Sequence, residues 1–214
     1  MKTTRILCFI LLGAAIGISS CKNKTKIMNA TIDSLRQIGD KTPAAGISQT
    51  IDSSLAIYHD TLYPPAGDYG SRTFFHLKNG MVYTGQAVNQ KPVLSADIIM
   101  AYFYHNDSDT SATLTNLYTF PYPQNKWKQT MTLFRKGISE EAYQLSNTNS
   151  DLKTAFHNSS KAEDSQGAVY KLASNDIIAF KTERNQYGLI RVKNLVPGNN
   201  PYKSYLAFEM KVQR

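Results

Sequence analysis

Four histidines carry most of the ligand chemistry open to this 214-residue chain: His59, His76, His105 and His157. Imidazoles hold metals in spaced sets, and no His-Glu-x-x-His, His-x-His or Glu-x-x-His pattern occurs, so no metal site is expected. Asn106-Asp107-Ser108-Asp109-Thr110 resembles the start of a calcium loop. It lacks the glycine at the sixth position and the bidentate glutamate at the twelfth, and a solvated turn is expected there instead. No Gly-x-Ser-x-Gly elbow and no glycine-rich phosphate loop is present. The carboxylates are scattered, and Glu140-Glu141 suits a helix N-terminus, where negative charge meets the helix dipole. These absences argue for a chain that is not an enzyme. The aromatic residues Tyr118, Phe120, Tyr122 and Trp127 surround Pro121 and Pro123 in a loop-like stretch that is hard to bury. Tyr122 and Trp127 are therefore candidate contacts for a sugar or another planar ligand, against the plainer role of packing the loop.

The strongest chemical signal lies at the N-terminus. Lys2 and Arg5 precede an apolar run from Ile6 to Ile18, and the small residues Ser19 and Ser20 lead to Cys21. This is the three-part layout of a secretory signal, and the run is too short to read as a spanning helix. Ile18-Ser19-Ser20-Cys21 resembles a bacterial lipobox. That resemblance implies removal of residues 1–20 and attachment of acyl chains to Cys21, which becomes the lipidation site. With each buried methylene worth about 0.8 kcal/mol, two or three acyl chains make a stable anchor. The chain has two cysteines, Cys8 and Cys21. Cys8 leaves with the signal and Cys21 is alkylated, so neither a disulfide framework nor a thiolate site is expected.

Composition narrows the remainder. Formal charge is +8, and the loss of Lys2 and Arg5 with the signal leaves +6. Three of those charges, Lys22, Lys24 and Lys26, stand beside the lipid, where each contributes about 1 kcal/mol against anionic headgroups. The folded part is then only mildly basic, without a lysine and arginine stripe interleaved with aromatics, and nucleic acid is not an expected partner. Thirteen tyrosines and nine phenylalanines against one tryptophan favour strands over helices.

Three segments follow: the signal peptide (1–20), a lipidated cysteine with a flexible tether (21–66), and one β-rich domain (67–214). The tether is polar and carries Pro43, Pro64 and Pro65. Asp33-Ser34-Leu35 and Asp60-Thr61-Leu62 resemble the Asp-Ser/Thr-aliphatic acceptor of O-glycosylation in Bacteroidota, which marks Ser34 and Thr61. Within the domain, Ser71–Leu77 and Met81–Gln86 flank Asn79-Gly80, a hairpin signal because such a turn needs positive φ at both central residues. Ser95–His105 is a long apolar run and is expected to be a central strand packed on both faces. Ala112–Thr119 and Lys128–Lys136 are further strand candidates. Ser139 and Asn149-Ser150-Asp151 each open a helical pattern, so one or two short helices are expected near 138–160. Gly167–Ala173, Asp176–Lys181, Tyr187–Leu195 and Tyr202–Gln213 are expected to form strands in series. In the last, Leu206, Phe208, Met210 and Val212 share one face, and Tyr205, Ala207, Glu209 and Lys211 the other. The expected fold is all-β, an antiparallel meander or sandwich-like sheet protein with one or two short helices inserted.

The stretches Thr73–Val82, Ala96–Tyr102, Ile178–Val192 and Leu206–Gln213 occur in an order that resembles HmuY-like haem-binding lipoproteins of Bacteroidota. The resemblance implies an all-β fold and haem held by histidines or methionines on loops. In this chain His105 and His157, or one of them with a methionine, are candidate haem ligands. The combined expectation is a non-catalytic lipoprotein of the outer membrane, on its periplasmic side in preference to the cell surface, that captures haem or a glycan for an outer-membrane transporter or another envelope partner. The alternative expectation is a structural or partner-binding envelope lipoprotein without a small ligand.

Overall fold

Strand-forming alternation governs the C-terminal third, and long-range pairing decides where those strands go. The structure is a computed structural model that describes residues 54–104, 111–161 and 167–214. Cys21, the lysines that follow it, Ser34, His105 and the Asn106–Thr110 segment lie outside the described residues. All the described residues belong to the unit Ser48–Arg214.

In chain order the elements are β1 (Leu55–Leu62), β2 (Arg72–His76), β3 (Met81–Thr84), α1 (Gly85–Gln90), a 3-10 helix (Pro92–Asp97), β4 (Ile98–Tyr104) and β5 (Ala112–Thr115). There follow β6 (Thr132–Lys136), α2 (Glu140–Leu145), α3 (Asn149–Asn158), β7 (Ser160–Lys161), β8 (Ala168–Val169), β9 (Ile177–Thr182), β10 (Tyr187–Val196) and β11 (Tyr205–Gln213). Every strand pairing among them is antiparallel. Six strands form one sheet in the order β1-β11-β10-β9-β6-β7, and five form the other in the order β3-β2-β4-β5-β8.

The sheets face each other across an apolar core. Phe75, Met100, Tyr102 and Leu114 from the five-stranded sheet meet Phe180, Ile190, Phe208 and Met210 from the six-stranded sheet. The Phe75 and Phe208 rings meet edge to face at 5.4 Å. Leu206, Phe208, Met210 and Val212 all enter this core, as the alternation of β11 requires. Two further clusters cover the outer faces. Leu152 and Phe156 of α3 and Tyr143 of α2 pack with Leu189 and Ala179 on the six-stranded sheet. On the other side, Leu117, Phe120 and Trp127 pack with Phe74, Ala101 and Val88. Strand β4 thus has both faces covered and neighbours on both edges, as its continuous apolar run predicts.

Several expectations are corrected. The tether was expected to run to residue 66, yet Leu55–Leu62 forms β1, pairing residue by residue with β11 from Leu55 opposite Gln213 to Leu62 opposite Leu206. Its partner is the last strand of the chain, so no local pattern reveals the pairing. His59 and Asp60-Thr61-Leu62 therefore lie in the sheet, with Leu62 fully buried and Asp60 bound to Arg72. The Asn79-Gly80 turn is also different. Gly80 has φ of 66°, but among the described residues Asn79 is not in the left-handed region. Instead the Asn79 side chain accepts the Met81 N–H, and Gly80 donates back to His76, closing a four-residue loop. The run expected from Met81 to Gln86 stops at Thr84, whose side chain caps α1 by accepting from Ala87 N–H. Ser95–Asp97 belongs to the 3-10 helix set by Pro92, and β4 begins only at Ile98. The strand expected at Gly167–Ala173 shrinks to Ala168–Val169.

The two expected helices are present. Ser139 caps α2 through Ala142 N–H. Thr148 caps α3 one residue earlier than read, in a capping box with Asp151.

Candidate functional site

The residues singled out from sequence separate onto opposite sides of the molecule. His157 is exposed at the end of α3, its ring 5.9 Å from that of Tyr187 and 5.7 Å from that of Phe156. That places it on the outer face of the six-stranded sheet. Trp127 belongs to the cluster over the other sheet, where it is only 5% exposed and donates its indole N–H to Asn89 at 2.9 Å. Tyr122 is half exposed beside the same cluster, 5.7 Å from Phe103 and 6.1 Å from Phe120. Tyr118 and Tyr122 face solvent, whereas Phe120 and Trp127 are packed, so the loop offers two exposed rings. His76 is buried with Nε2 3.8 Å from Asp97 Oδ2, and burial holds its imidazole below the ordinary histidine value against the opposing pull of Asp97. Among the described residues no group of three or more His, Cys, Asp or Glu is placed to hold a metal.

Two polar constellations that sequence reasoning missed stand out. The first lies beneath α2 and α3. Lys211 was grouped with the polar side of β11, but that side is covered by the helices and the lysine is only 6% exposed. Its ammonium donates to the carbonyls of Tyr143 at 2.8 Å and Ser146 at 3.2 Å, and to Asn147 Oδ1 at 3.4 Å. It thereby gives the Ser146 carbonyl at the C-cap of α2 a partner and adds a second donor to the Tyr143 carbonyl, which also accepts the Ser146 N–H at 3.3 Å. Tyr143 donates its hydroxyl to Glu209 at 2.7 Å, and Arg191 bridges Glu209 and Glu140. Burial pushes Lys211 below the ordinary lysine range, with Glu209 opposing. Burial alone would raise Glu209, but the Tyr143 hydroxyl and Arg191 outweigh it and hold the carboxyl below its usual range. Burial and Glu209 together push the Tyr143 hydroxyl well above the tyrosine value. The three donors of Lys211 end on protein oxygens, so this is a lock between helices and sheet.

The second constellation lines an open cleft of about 540 Å³ at the end of the sandwich where β4 and β6 begin and β9 and β11 finish. Leu77, Ile98 and Ile99 form its buried floor. Tyr58, Ala96 and Met131 present partly exposed apolar surface above it. The Tyr58 ring is held edge-on to Phe75 and lies so close over Gly80 that a Cβ there would come within 2.3 Å of it. The β9–β10 turn brings Glu183, Arg184 and Gln186 to the cleft, shaped by Asn185 at φ of 59°. Arg184 pairs with Asp97, the last residue of the 3-10 helix that leads into β4 of the opposite sheet, and Lys128 donates to Glu183 at 2.9 Å. Lys78 and Arg214 stand at the margin. The arrangement combines hydrogen-bond donors and acceptors with an apolar base, which is the composition of a small-ligand site. In sequence, Thr182–Gln186 reads only as a polar link and Asp97 as part of a strand. Their convergence needs both sheets.

No family model matches the chain, and no curated protein matches it. Among solved structures, the chain is similar to a DUF4466 family protein from the Bacteroidota species Parabacteroides merdae, with a TM-score of 0.55 and 12% identity. The match covers 75% of this chain and 54% of that one, so this chain spans about half the length of its structural relative. At that identity the likeness is one of fold. It bears out a β architecture shared with a protein from the Bacteroidota and does not support the resemblance to HmuY-like lipoproteins.

Proposed function

We propose that this protein is a lipid-anchored, non-catalytic binding lipoprotein of the bacterial cell envelope, tethered through Cys21 to the outer membrane on its periplasmic side. It holds a small ligand in the cleft between the sheets and passes it to an outer-membrane uptake partner. The observation that carries this reading is the cleft itself. Its volume of about 540 Å³ falls inside the roughly 300–1,000 Å³ usual for small-ligand sites, and charged and amide groups from both sheets converge on it. The lipobox-like Ile18-Ser19-Ser20-Cys21 supports the anchor. A second reading, a partner-binding envelope protein, draws on the exposed Tyr118 and Tyr122 of the other face.

Two measurements test the proposal. Cells fed labelled palmitate should incorporate label into the wild-type protein and none into Cys21→Ala; an unlabelled wild type removes the anchor. A thermal-shift screen against sugars, amino acids, nucleosides, haemin and phosphate should give a stabilising compound whose effect is lost in Arg184→Gln. A screen in which every stabilising compound acts equally on wild type and Arg184→Gln removes the cleft as the binding site. Haemin binding with a Soret band lost in His157→Ala would instead place the ligand on the helical face.

A further inference from the structure

We infer that the cleft is shaped for a neutral, hydroxyl-rich ring, a saccharide unit. The inference rests on reading the cleft as a ligand site and narrows what fills it. Three features of the walls favour this class.

The first is the pairing of the central charges. Arg184 is matched by Asp97 and Lys128 by Glu183, with Lys78 and Arg214 at the margin. A phosphate or carboxylate entering between these pairs would meet the Asp97 and Glu183 carboxylates, and the Arg184 and Lys128 cations beside them are already engaged. A neutral molecule carries no such penalty. The second feature is the type of polar group. Guanidinium, carboxylate and side-chain amide are planar and two-pronged, so each can engage two adjacent hydroxyls at once. A hydroxyl both donates and accepts, which suits a wall where Arg184 and Lys78 donate while Asp97, Glu183 and the Gln186 amide accept. Asp97 is held in place by Arg184 on one side and approached by the buried His76 on the other, so its carboxylate is oriented before a ligand arrives.

The third feature is the apolar surface between those groups. Tyr58, Ala96 and Met131 give a partly exposed patch that can cover the C–H face of a sugar ring. Haem fits these walls poorly. Among the described residues no histidine lines the cleft, and Met131 is the one methionine that does.

The test uses the full mature chain with Cys21→Ser, labelled with nitrogen-15, and follows the backbone amides of Ala96, Arg184 and Gln186. The probes are glucose, galactose, mannose and N-acetylglucosamine, set against glucuronate, galacturonate, inorganic phosphate and haemin at matched concentrations. The expected result is a saturable shift of those amides by at least one neutral sugar. Arg184→Gln should weaken that binding by about tenfold or more, while Lys203→Ala, in the turn at the other end of β10 and β11, should leave it unchanged. The uronate of the same sugar should bind no tighter than the neutral form. If a uronate, phosphate or haemin shifts the cleft amides more strongly than any neutral sugar, the saccharide assignment is overturned while the ligand site stands. If none of the probes moves those amides, the saccharide assignment falls, and the wider thermal-shift screen decides the site independently.

Discussion

Replacing Lys211 by methionine separates two opposing effects of a buried charge. The ammonium is 6% exposed and donates to two main-chain carbonyls at 2.8 and 3.2 Å. It also lies 4.6 Å from the centroid of the Tyr143 ring. Methionine has similar length and fits the apolar stem of the lysine, so little cavity forms. What is lost is the donor to the Ser146 carbonyl, orphaned at a cost of about 1–3 kcal/mol, while the Tyr143 carbonyl keeps the Ser146 N–H at 3.3 Å. What is recovered is the desolvation of the ammonium, the same effect that lowers its pKa. The Ser146 carbonyl stands at the C-cap of α2, beyond the last helical turn. The net expectation is therefore destabilisation of about 1–2 kcal/mol. For a folded region of this size that corresponds to a melting temperature lower by about 2–8 °C. Urea unfolding of the Cys21→Ser protein, with and without Lys211→Met, measures it directly. Lys203→Ala, exposed in a turn, serves as the control and should change stability by less than about 0.5 kcal/mol. If Lys211→Met is neutral or more stable, the desolvation cost exceeds the hydrogen bonds and the lock is not what holds α2 to the sheet.

Further outcomes follow from the same structure. Thr132 is 1% exposed and its hydroxyl has no hydrogen-bond partner among the described residues, so Thr132→Val should stabilise the protein by about 1 kcal/mol in urea unfolding. A loss of stability would reveal a partner for that hydroxyl. Gly188 packs under Phe180, and an added Cβ would lie 2.4 Å from that ring and 2.7 Å from the Lys211 carbonyl. Gly188→Ala should therefore cost about 2–3 kcal/mol, and a neutral effect would mean that β10 and β11 can separate locally. Burial lowers the folded-state pKa of His76, so the unfolded chain takes up this proton first as pH falls through about 6.5. Stability present above that pH should decline between pH 7 and 5, and His76→Gln should flatten the slope in that window. An identical slope in the variant would assign the pH dependence to other groups.

Local chemistry made parts of this protein legible before any coordinates. The alternation in Tyr205–Gln213 places Phe208 and Met210 in the core correctly, because side chains in a strand must alternate sides. Ser139 marks the start of α2 correctly, since a cap acts only over the next few residues. The same reasoning assigns Lys211 to the polar face of β11 but cannot tell that α2 and α3 cover that face. It likewise treats Leu55–Leu62 as tether, because the strand that completes it lies at the far end of the chain.

The candidate site shows the same division. Asp97 and Arg184 are 87 residues apart, and neither belongs to a motif. They meet because β4 of one sheet and the β9–β10 turn of the other end at the same edge of the sandwich. The sequence by itself determined the all-β class, the capped helices and the lipobox-like segment at Cys21, all of which depend on neighbours a few residues away. Only the tertiary structure decided which charges are buried, where the chain's first described strand pairs, and which polar groups share the cleft. Those outcomes depend on contacts between distant segments, whose pairing leaves no spacing for a sequence to show.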